Sequence, residues 1–177
     1  MTMEEAKNLY IKYDCSLFGM AREEKDFYEA FQALNISKVV LDNWRQELFD
    51  TLWIELRKTG EISIFTKMAY LSENVHNLER LNIMRSALEY IEYKDLKTKA
   101  YVSETILGRK DIPVRSGMVF WAYDIGEQEV AKELLKYVME LLNSEENDEN
   151  IKTRIKRDME RCYKLDSFLK LGIYNTV

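Results

Sequence analysis

Apolar residues recur at intervals of three and four along nearly the whole chain, the period of an amphipathic helix, while strand-like alternation is scarce. Thr2 followed by Glu5 has the form of a capping box and opens a first helix over about 3–13. A second periodic stretch covers about 23–34, between Gly19 and the turn-like Asn35. Ser37 is a good N-cap for a long third helix to about Lys58, with Leu41, Trp44, Leu48, Leu52 and Leu56 on one stripe and Gly60 at its end. Ile64, Phe65, Met68 and Leu71 mark one face of the next helix. Ser72 or Asn74 then predicts the cap of a helix whose Leu81, Met84, Leu88 and Ile91 form a packed seam, and a shorter helix over about 97–107 stops at Gly108.

Helix breakers are rare and unevenly placed. Of one proline and six glycines in 177 residues, Gly108, Pro113, Gly117 and Gly126 fall close together, so the backbone departs from helix there. Residues 116–124 read as a short buried helix begun by Ser116, and Asp124 with Glu127 suggests a second capping box. Val130, Leu134, Val138 and Leu142 then define a strongly amphipathic helix to about Asn143. After a polar turn over 144–150, Ile151, Ile155, Met159, Cys162, Leu165 and Leu169 line a last helix that Gly172 closes. The expected fold is all-α: a single-domain irregular bundle of about seven or eight helices ending in a long antiparallel hairpin. Within it, 1–107 is an N-terminal helical bulk, 108–126 a connecting loop with a short helix, and 127–177 the hairpin. No period of 33 to 47 residues recurs, which argues against a solenoid.

A chain of 21.1 kDa can bury roughly 70% of its unfolded surface, so stability requires no cofactor or disulfide. The 46% hydrophobic and 32% charged composition is that of an ordered globular protein. Met1 to Lys12 alternates charged with apolar residues, unlike a signal peptide, and no apolar run reaches membrane-spanning length. A reduced, cytoplasmic setting with no membrane contact is expected, and Cys15 and Cys162 read as free thiols. The net charge of -5 is divided unevenly: residues 127–150 hold 8 acidic and 2 basic groups, and residues 151–177 hold 7 basic and 3 acidic. In the expected hairpin this sets acid against base.

The single histidine narrows the chemistry. Glu73 and His76 form an ExxH pair, but a di-iron site requires a second such motif and further helical glutamates, so no metal is expected. Cys15, near a helix end, is the better of two weak candidates for a nucleophile, because Cys162 lies on an apolar stripe. Phosphate-loop, dinucleotide-binding and nucleophile-elbow motifs are absent. No catalytic residue and no cofactor is assigned.

Two surfaces remain as candidates. Arg109, Lys110 and Arg115 stand in the breaker-rich loop before a helix start, where backbone donors favour an anion or an acidic partner surface. The alternative is a loop crossing between helical layers with its cations paired. Glu140, Glu145, Glu146, Asp148 and Glu149 form an acidic segment. Acidity disfavours direct duplex binding, yet an acidic helical protein can occupy the positive channel of a nucleic-acid enzyme, as anti-restriction and anti-CRISPR inhibitors do. The leading expectation is a noncatalytic module, regulator or inhibitor, that binds another protein, with Tyr10, Trp44 and Trp53 as anchors if exposed and as core otherwise. An acidic inhibitor of a nucleic-acid enzyme is the alternative, and a small helical enzyme the third. Self-association through exposed apolar stripes fits the pattern as well.

Overall fold

The capping box at the start of the chain closes as expected. Thr2 N donates to Glu5 Oε2 (2.6 Å) and Glu5 N donates to Thr2 Oγ1 (3.2 Å), so α1 begins at Met3 and runs Met3–Lys12. The computed structural model describes residues 1–72, 75–108, 117–143 and 148–170, with side chains to residue 164. Among these residues the chain is all-helical, with ten helices and no strand. It divides into two compact units, Met1–Thr59 and Gly60–Val177.

The first unit contains α1, α2 (Leu17–Glu23), α3 (Lys25–Ala33) and α4 (Lys38–Thr59). Helix α2 is not expected from the pattern, because α1 ends without glycine. Asp14 and Cys15 take positive φ (50° and 60°), Asp14 N donates to Ile11 O (3.0 Å) and Cys15 N to Tyr10 O (2.9 Å). This is the left-handed C-cap that glycine normally makes. Ser16 then caps α2 through Gly19 N (3.0 Å). The stretch expected as a helix over about 23–34 is α3, which starts after Glu24, whose carboxylate holds Lys12 Nζ (2.5 Å) and Tyr13 Oη (2.8 Å). On α4 the buried set is Trp44, Phe49, Leu52 and Leu56, whereas Leu41 and Leu48 are half-buried, so the inward face is turned slightly from the expected stripe.

The second unit contains α5 (Ile62–Ser72), α6 (Leu78–Ala87), α7 (Leu96–Leu107), α8 (Met118–Asp124), α9 (Gln128–Leu142) and α10 (Glu149–Lys170). Asn77 caps α6, accepting from Arg80 N (2.8 Å). Ser72 instead ends α5 with its hydroxyl donated to Met68 O (2.8 Å), and Asn74 lies outside the described residues. Leu81, Met84, Leu88 and Ile91 are all buried as the seam predicts, although α6 stops at Ala87 and a turn carries the last two. Met118 to Tyr123 are buried without exception, so α8 is a core helix, capped by Gly117 rather than Ser116. The capping box of Asp124 with Glu127 does not form. Asp124 belongs to α8, Gly126 at φ 86° makes the turn, and Glu127 N is donated back to Ala122 O (2.8 Å).

Among the described residues helix α7 is the hub of this unit, packing against α5, α8, α9 and α10, so the last helix rests on α7. Arg154 meets Glu104 (2.9 Å), Arg161 donates to Gly108 O (2.7 Å), and the Cys162 thiol faces Leu107 O (3.5 Å). The ion pairs described for α9 include pairs within the helix and one to Arg85. The apolar stripe of α10, with Ile155, Met159 and Cys162 buried, finds its partner in α7 because burial outweighs surface charge pairing.

Gly117 starts α8 in direct contact with the end of α7. A Cβ at this position would stand 2.4 Å from Gly108 N and 2.5 Å from the Leu107 carbonyl carbon. Only a residue without a side chain permits that approach.

Candidate functional site

Arg109, Lys110, Arg115, Glu145 and Glu146 lie outside the described residues, as does Glu73 of the ExxH pair. Of the acidic segment, Glu140 is exposed and faces Lys136 one turn away (3.7 Å). Asp148 caps α10, accepting from Asn150 N (3.0 Å) and Ile151 N (3.2 Å), and Glu149 is exposed in the first turn, where the helix dipole favours an acid. Tyr10 and Trp44 are core, their ring centroids 6.2 Å apart, and the Arg45 guanidinium donates to Tyr10 Oη (2.8 Å). Trp53 is half-buried beneath the Arg57 guanidinium (4.8 Å). Both cysteines are buried, and desolvation pushes each thiol up to about 11. They are protonated at neutral pH, the opposite of an activated nucleophile.

His76 is not a helix-start residue. It precedes the Asn77 cap, and its Nδ1 lies 2.7 Å from Asp124 Oδ2 at the end of α8. The ring stacks on Trp121 (5.5 Å) and presents an edge to Phe120 (6.4 Å). The imidazole thereby fastens the α6 entry to the end of α8. Among the described residues no three His, Cys, Asp or Glu side chains gather as a metal site.

A concavity lies between α9 and the segment from α6 to Tyr93, a cleft of about 750 Å³. Its floor is apolar, from Leu88, Ile91 and Leu134. Two polar struts cross it. Arg85 Nη2 donates to Glu133 Oε2 (2.6 Å), and the hydroxyls of Tyr93 and Tyr137 are hydrogen-bonded to each other. Glu133 and Tyr137 share a face of α9 because they are four residues apart. Burial raises both phenols above the ordinary tyrosine range. Sequence reading did not select these residues, since partners 44 and 48 positions apart leave no local motif. The faint signal is a tyrosine at 137 beside the apolar stripe of α9.

The first unit has a groove of a different character. Met1, Leu9, Phe27 and Ala30 from the α1 and α3 regions line about 510 Å³, with Glu5 and Lys12 at its rim. Phe27 is 54% exposed and Phe18 on α2 is 76% exposed. Met1, Met3, Leu17, Val39 and Ile54 also reach solvent in this unit, whereas among the described residues of the second unit four of the six exposed large apolar residues are tyrosines, whose hydroxyls suit a wet surface.

Comparison with protein-family models, with curated proteins and with solved structures finds no match to this chain.

Proposed function

We propose that the protein is a noncatalytic helical module that binds another protein through its first unit. The observation that carries this reading is the set of unshielded hydrocarbon side chains there, centred on Phe27 above the α1–α3 groove. A groove of this kind suits the apolar stripe of an amphipathic partner helix, which would place anchors at intervals of three and four. Basic flanks on that helix would complement a unit with 11 acidic and 8 basic groups. The anchors are thus Phe18 and Phe27, while Tyr10 and Trp44 are core and Trp53 is half-buried.

A photocrosslinking amino acid placed at Phe27 tests this in the native host. The expected product is one protein crosslinked in stoichiometric yield, lost in a Phe18→Ser/Leu9→Glu variant that keeps its helical circular dichroism. Diffuse labelling that survives the double substitution would count against a defined partner surface.

The acidic-inhibitor alternative draws less support. Asp148 is engaged as a helix cap and the exposed Glu140 faces a lysine, so of the described part of that segment Glu149 is the exposed acid not given either role. It predicts partner binding that weakens steeply with salt and competes with nucleic acid. An apolar groove predicts weak salt dependence.

A further inference from the structure

We propose that the cleft between α6 and α9 is a small-molecule site for an organic cation, an ammonium group carried on an apolar body of drug-like size. This goes beyond the protein-binding reading, lies in the other unit, and stands or falls separately. The cleft volume, about 750 Å³, falls within the range of ligand pockets, and its make-up follows their pattern of an apolar floor with a few convergent polar groups. The sign of the ligand's charge follows from how the polar groups are already used.

The hydroxyls of Tyr93 and Tyr137 are bonded to each other, and Tyr93 Oη also lies 3.4 Å from Leu88 O, so the charged groups decide the sign. One turn from Tyr137 on the same face, Glu133 uses Oε2 on Arg85, and its other oxygen remains an acceptor. Glu89, on the opposite wall, is an exposed carboxylate with no ionic partner among the described residues. Among the described lining residues the single guanidinium, Arg85, is neutralised by Glu133, which leaves one net negative charge from Glu89. Two carboxylates, one of them in excess over Arg85, and two aromatic rings recognise a donor-rich cation, and they repel a carboxylate or phosphate.

Nuclear magnetic resonance titration of the full chain with 2-phenylethylammonium, 3-phenylpropionate and 3-phenylpropan-1-ol distinguishes the charge classes on one apolar frame. The ammonium probe is expected to bind with a Kd of about 1 mM or tighter, shifting the methyl resonances of Leu88, Ile91 and Leu134, and the other two about tenfold more weakly. Glu133→Gln should weaken the ammonium probe about fivefold to tenfold, and Glu89→Gln about threefold. Arg85→Gln frees Glu133 and should tighten it. Tighter binding of the carboxylate, loss of ammonium binding in Arg85→Gln, or no methyl shift with any probe at about 10 mM would each overturn the assignment. Unchanged ammonium binding in the Phe18→Ser/Leu9→Glu variant is expected, because the two sites occupy different units.

Discussion

Replacing Gly117 with alanine measures what one methyl group costs when every neighbour is main chain. The added Cβ would stand 2.4 Å from Gly108 N, 2.5 Å from the Leu107 carbonyl carbon and 2.9 Å from Ile106 O. Ordinary contact begins near 3.5 Å, so the start of α8 must retreat by about 1 Å from the last turn of α7. No flexible side chain can yield instead. Neither helix moves cheaply, because α7 packs against four others and every side chain from Met118 to Tyr123 is buried. Overpacking of this kind costs about 1–3 kcal/mol, and the main-chain clash puts Gly117→Ala at the upper end, about 3 kcal/mol. For a chain of this length that lowers Tm by about 6–12 °C. Gly126→Ala is the control. Its φ of 86° strains any side chain, but nothing lies within 4 Å, so its cost should be the left-handed backbone alone, about 1 kcal/mol. Urea unfolding followed by circular dichroism and tryptophan fluorescence compares the two. A Gly117 variant no less stable than the Gly126 variant would show that the helices do not meet as closely as described.

Asp14→Gly should stabilise the protein by about 0.5–1 kcal/mol, seen as a higher urea midpoint, since glycine takes the positive φ of the α1 cap without strain. Both thiols should resist iodoacetamide at pH 8 and react on unfolding, because burial holds them near 11. The unfolded chain releases those protons from the ordinary value of 9.0, so their contribution to stability is complete below pH 9 and is lost as pH rises toward about 11, and a urea midpoint that stays level across that window would contradict it. A double-mutant cycle on Glu104 and Arg154 should give a coupling of about 0.5–1 kcal/mol, modest because Arg154 is partly exposed, whereas one on Glu140 and Arg154 should give none.

Local chemistry made much of this fold legible. The Thr2 capping box, the left-handed turn at Asn35 and the stop at Gly60 depend on neighbours in sequence, and each is where the residue types place it. Helix α2 escaped notice for an equally local reason: Asp14 and Cys15 do the work of a glycine, and no residue type announces that. The packing of α10 on α7 could not be read at all. It belongs to the buried stripe around Ile155 and Cys162, and sequence does not say which apolar face will receive it. The cleft was hidden in the same way, because Tyr93 and Tyr137 become neighbours only once α9 is in place.

The meeting of Gly108 and Gly117 also separates chain length from architecture. The chain leaves α7 and enters α8 at nearly the same point, so the eight intervening positions have no distance to span. Closing such a loop costs only about 0.6 kcal/mol more for each doubling of its length. The two glycines therefore form a socket into which a segment of almost any length could be spliced, while α7 and α8 keep their places. Selection on that segment would then be free to follow whatever it touches, and would leave the helices it interrupts unchanged.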